Sequence, residues 1–83
     1  MKETIILEYL SKINFKGNFN VNDIKNELRQ LLGETPALDI KWGKEPFINE
    51  DTNKSDVREL VEEVKVVYLD LDNKFKTISF LTK

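Results

Sequence analysis

Ile6, Tyr9, Leu10 and Ile13 recur at the i, i+3, i+4, i+7 spacing of an amphipathic helix, in which such positions share one face. The spacing predicts a helix over residues 3–13. Ile5, Leu7 and Tyr9 also alternate as a strand would, but Glu8, Leu10 and Lys12 are good helix formers and favour the helix. Asn14 to Asn18, with Gly17, reads as a connector. The signals that follow are those of a helix start. Asn20 suits the N-cap, and Asp23 places a carboxylate near the positive helix end. Phe19 and Ile24 take the hydrophobic-staple positions. Val21, Ile24, Leu28, Leu31 and Leu32 form the predicted buried stripe, and Gly33 with Pro36 marks the end.

Period two takes over next. Leu38, Ile40 and Trp42 alternate with Asp39, Lys41 and Gly43, which predicts a half-buried strand. Pro46 disfavours its continuation as a central strand, so Phe47 and Ile48 are expected to tuck back onto the core. Asp51 to Ser55 reads as a polar loop. Val57, Leu60, Val61 and Val64 then return to helical spacing, which predicts a short third helix over about 56–63. Val64–Leu71 and Phe75–Thr82 are rich in β-branched and aromatic residues and predict a C-terminal β-hairpin turning at Asp72-Asn73-Lys74. A two-residue loop at Asn73-Lys74 would pair Leu69 with Ile78 and Val67 with Phe80; a three-residue loop would slip that register.

The expected fold class is therefore α+β: two N-terminal helices, a short third helix, and a small antiparallel sheet of about three strands ending in a C-terminal hairpin. Residues 1–83 read as a single compact domain, without repeat, low-complexity tract or flexible linker. Ile, Leu, Val and Phe make up 28 of the 83 residues, enough to build a core rather than leave a disordered chain. At this size the stability is expected near the low end of the usual range of about 5–15 kcal/mol.

Composition narrows the chemistry. Without cysteine there is no disulfide, thiolate metal site or thiol nucleophile, and without histidine the commonest general base and metal ligand is missing. The three glycines are isolated, so no phosphate-binding loop is formed. Asp51, Asn53, Ser55, Glu59 and Glu62 fall at positions 1, 3, 5, 9 and 12 of a calcium-loop spacing. Asp56 stands where the sharp turn needs glycine, and Arg58 where an apolar residue packs. A solvated loop leading into a helix is the simpler reading. Asp70 and Asp72 share a strand face, and pairing with Lys74 or Lys76 explains them better than a metal or acid–base site. No catalytic, cofactor-binding or metal-ligating residue is expected.

Net charge is −2, and residues 50–63 hold six acidic side chains against two basic ones. That imbalance opposes nucleic-acid binding and suits a basic protein partner. No apolar run approaches the ~20 residues of a membrane span, and the N-terminus lacks a signal-peptide pattern. A cytoplasmic location without a membrane partner is expected.

The functional expectation is a small non-enzymatic protein-interaction module: an adaptor, inhibitor or accessory protein. The alternative is a winged-helix-like nucleic-acid-binding domain, which the element order permits and the acidic 56–63 segment opposes. Candidate partner-binding residues are Ile78, Ser79, Phe80 and Leu81 on an edge strand, the acidic Glu59, Glu62 and Glu63, and Trp42. Trp42 alternates with core residues and is most simply core, with the sheet rim as the other placement. If 37–42 pairs with 64–71, the last strand is an edge flanked by Lys76 and Lys83, with an unguarded centre. A second copy or a target protein could add a strand there, unless a helix or the Phe47–Ile48 segment already covers the edge.

Overall fold

The computed structural model describes residues 1–82. Two helices, α1 (Lys2–Ser11) and α2 (Val21–Leu32), precede three strands, β1 (Ala37–Asn49), β2 (Lys54–Leu69) and β3 (Phe75–Leu81). The strands form one antiparallel sheet in the order β1-β2-β3. The fold is α+β, with both helices packed on one face of the sheet. Segment 56–63, expected to be a third helix, lies within β2.

The predicted helices form for the predicted reasons. Ile6 and Leu10 are fully buried one turn apart on α1. The Asn20 Oδ1 accepts hydrogen bonds from the Asn22 and Asp23 amides at 2.8 and 3.2 Å, satisfying two orphan donors at the start of α2. Gly33 closes the helix at φ 75°, its amide donating to the Arg29 carbonyl, a conformation that costs glycine nothing. Ile24 and Leu28 are buried, but Val21 and Leu31, expected in the same stripe, are exposed. The stripe that α2 buries is narrower than expected: Ile24, Leu28 and, in part, Leu32.

The strands explain the missing helix. Lys41 pairs with Glu63 but Trp42 pairs with Val61, so Glu62 is an extra residue on β2. This β-bulge shifts the side-chain alternation by one. Tyr68, Val66 and Val64 face the helices on one side of it, and Val61 faces them on the other, all buried. The step of three across the bulge makes 57, 61 and 64 mimic a helical i, i+4, i+7 pattern.

Beyond the bulge β1 and β2 continue as a two-stranded arm. Its tip is a turn in which the Asn53 amide donates to the Asn49 carbonyl at 2.7 Å, with Asn53 left-handed at φ 55°. Phe47 and Ile48 ride on the arm rather than folding back onto the core, and Ile48 is exposed. Pro46 is tolerated because β1 is an edge strand, where a missing amide hydrogen need cost no ladder bond. The arm gives the molecule extents of 54 × 18 × 17 Å and a radius of gyration of 15.6 Å. A compact chain of this length would have a radius near 12 Å.

The β2–β3 turn has a three-residue loop, Leu71-Asp72-Asn73, one residue earlier than the expected Asp72-Asn73-Lys74 turn. The Asn73 amide donates to the Asp70 carbonyl and the Asp70 amide to the Lys74 carbonyl, each at 2.9 Å, with Asn73 left-handed at φ 63°. This is the type I turn plus bulge that three-residue hairpins favour. The register therefore pairs Leu69 with Phe75, Val66 with Ile78 and Val64 with Phe80, correcting the pairing expected from a two-residue loop.

Lys76 reaches back to Asp70 at 2.7 Å and Asp72 at 3.6 Å. The hydrogen bond from Lys76 holds the Asp70 carboxyl below its usual range, and the same bond raises the Lys76 ammonium. A depressed carboxyl stabilises the fold above the ordinary aspartate value of about 3.9 and loses that contribution as pH falls through its folded value. A raised ammonium contributes below about 10.4 and loses it as pH rises through its folded value. Lys76→Gln is therefore expected to lower the melting temperature modestly at neutral pH. The difference from wild type should close at both extremes. A difference that persists unchanged in acid would show that the ion pair is not its source.

Candidate functional site

The hydrogen-bond phase of β3 decides which of its atoms are free. The Asp70 amide donates to the Lys74 carbonyl at one end, and the Thr82 amide to the Glu62 carbonyl at the other. Antiparallel pairs alternate between bonded and non-bonded, so Lys76, Ile78 and Phe80 turn their backbone groups toward β2. Phe75, Thr77, Ser79 and Leu81 turn theirs to the outside, where no strand among the described residues pairs with them. The expected edge is present. Lys83, expected to flank it, lies outside the described residues. Lys76 does not guard it, because its ammonium is drawn to Asp70 and Asp72.

The eight candidate residues fall into three places. Ile78 and Phe80 face the helices: Ile78 is buried, and Phe80 lies 6.2 Å from the Phe15 ring. Ser79, Leu81, Glu62 and Glu63 meet on the opposite, open face. The Ser79 hydroxyl donates to Glu63 at 2.6 Å. That bond, helped by Lys65 and Lys41 and opposed by partial burial, holds the Glu63 carboxyl below its usual range. Glu62 lies over Gly43, where a methyl group would overlap its carboxylate. Neighbouring strand residues normally face opposite sides; the bulge brings Glu62 and Glu63 together beside Lys41 and Leu81.

Trp42 and Glu59 form the third place, on the helix side of the sheet where the arm leaves the core. Trp42 is 51% exposed and not a core residue. Its indole stacks on Phe19 at 5.9 Å, and Phe19 meets Phe15 edge-on at 5.2 Å. The rim placement is the one found. Strand parity puts Pro46, Ile48 and Val57 on the same side of the arm as Trp42. All three are exposed, because the helices stop short of them.

Two arrangements lie outside what the sequence reading selected. On the other side of the arm, Arg58 donates to Glu45 through two nitrogens at 3.1 and 2.9 Å, with its guanidinium 5.5 Å from the Phe47 ring centre. Nearer the core, Glu34 accepts from the Lys2 ammonium at 2.9 Å and from the Leu69 amide at 3.0 Å, while Lys2 also donates to the Leu69 carbonyl at 2.6 Å. Phe47 and Ile48 running into the polar 49–53 segment, with Val57 beyond it, are the available signal for the arm. None marked Glu34.

The calcium-like spacing does not close on an ion. Residues 54–62 are extended, so Ser55, Glu59 and Glu62 are strung along about 23 Å of strand. Among the described residues, no group of three or more acidic side chains converges as a metal site. No helix among them is long and apolar enough to cross a membrane. Comparison with family models, with curated proteins and with solved structures finds no match to this chain.

Proposed function

We propose that this chain is a small non-enzymatic protein-interaction module, an adaptor, inhibitor or accessory protein, whose arm engages a partner protein with a basic surface. The carrying observation is the arm itself. Trp42, Ile48 and Val57 stand 51, 68 and 57% exposed along one of its faces. A two-stranded ribbon is marginal in water unless something covers it. Residues 42–62 hold six acidic side chains against three basic ones, so complementary charge would steer a basic partner onto those apolar groups. The same charge repels phosphates. A winged-helix placement would also need a recognition helix after α2, where the described residues form only strands and turns. The lack of cysteine agrees with a reducing compartment such as the cytoplasm.

The test is capture from the native cell with wild type and two variants, Trp42→Ala and the charge-reversed Glu59→Lys/Glu62→Lys pair. A captured protein is then purified and titrated. Binding that weakens at least tenfold in either variant and falls with salt supports the reading. A captured set identical across all three proteins would sink it. Sub-micromolar, salt-dependent binding to random duplex DNA would put the nucleic-acid reading first.

A further inference from the structure

We infer that the free edge of β3 pairs with β3 of a second copy, antiparallel about a two-fold axis at Ile78, joining two three-stranded sheets into one of six strands. This rests on the interaction-module reading and assigns the partner of one of its surfaces. β3 spans Phe75–Leu81, and Ile78 is its midpoint. Phe75, Thr77, Ser79 and Leu81 direct their amides and carbonyls outward, as the phase of the β2–β3 ladder requires. A two-fold at Ile78 sets these four opposite Leu81, Ser79, Thr77 and Phe75 of the second copy. Every outward group then has a partner, in about eight hydrogen bonds.

The side chains agree with that register. On the open face Phe75 lies across from Leu81 and Thr77 across from Ser79; on the helix side Ile78 meets its own symmetry mate. Phe75 and Leu81, 77 and 67% exposed in the single chain, gain an apolar neighbour. No like charges are opposed. Sliding by two residues loses one of the four pairs and sets Phe75 or Leu81 opposite a hydroxyl. An isologous contact of this kind closes at two copies and does not propagate. The edge is short, so the dimer is weak, with contact area below the ~1,600 Å² of a standard interface.

Sedimentation velocity from micromolar to millimolar protein provides the first test. Wild type should shift from monomer toward dimer as concentration rises. Ser79→Pro, which removes an outward amide, should stay monomeric while keeping a cooperative melt. A second measurement covers the case in which that variant fails to fold. Thr77→Cys and Ser79→Cys are made separately in this cysteine-free chain, then mixed and oxidised. Opposed residues in a bonded pair lie about 5.5 Å apart at Cα, within the disulfide window, whereas Ser79 to its own mate is a diagonal of about 7–8 Å. The mixture should give the mixed disulfide dimer in several-fold excess over either variant alone. Wild type monomeric throughout overturns the inference, as do cross-links equally abundant in the single-variant samples. A monomer that still binds a basic partner through its arm would defeat this pairing and leave the module reading standing.

Discussion

Leu28→Ala is expected to destabilise the protein by about 3–4 kcal/mol, the range for removing a large aliphatic side chain from a core that cannot fully collapse. Leu28 is fully buried on α2, within the cluster that includes Ile6, Leu10, Val61 and Val64. A chain this short is expected near the low end of the 5–15 kcal/mol range, so the loss is a large share of the total. For a domain of 60–100 residues each kcal/mol moves the melting temperature by about 4–8 °C. The midpoint should therefore fall by about 12 °C or more. Leu31→Ala provides the control. It removes the same atoms from the same helix, but Leu31 is 49% exposed, and a loss under about 1 kcal/mol is expected. Thermal and urea melts followed by circular dichroism decide it; equal losses at the two positions would contradict the packing described here.

Glu34→Ala is expected to cost about 2–3 kcal/mol, through a lost acceptor rather than lost packing. The reason lies in where β1 begins. On the core side of the bulge, β2 turns its odd-numbered backbone groups toward β1, and β1 starts opposite Val67 at Ala37. Leu69 therefore has no β1 partner. Glu34 takes its amide hydrogen and Lys2 bonds its carbonyl, while the two side chains pair with each other. One carboxylate thereby links the start of α1, the end of α2 and the end of β2. Removing it strands a partly buried amide and leaves the Lys2 ammonium without its counter-ion. Glu34→Gln keeps an acceptor for the Leu69 amide and should recover part of the loss. Lys2→Met combined with Glu34→Ala should cost less than the sum of the two single changes, because the pair acts as a unit. Strict additivity in that double-mutant cycle would mean the bridge contributes nothing.

What the sequence determined by itself is what depends on neighbours along the chain. The Asn20 cap, the Gly33 stop, the Ile6–Leu10 stripe, and the strand character of 37–42, 64–69 and 75–81 follow from local spacing and backbone preference. From these the α+β class and the β3 edge could be read. Tertiary structure decided the rest, because each remaining question turned on a partner distant in sequence. Residues 56–63 carry a helix-like spacing, yet pairing with 41–47 draws them into β2, and the Glu62 bulge absorbs the odd step. The hairpin register hung on whether Asn73 or Lys74 closed the loop, and a left-handed Asn73 set it. Trp42 alternates like a core residue but stands at the point where the helices end, so its far side meets water. The reach of two short helices is a property of their packing, not of any local pattern. It separates a sheet with a covered face from a sheet with an arm.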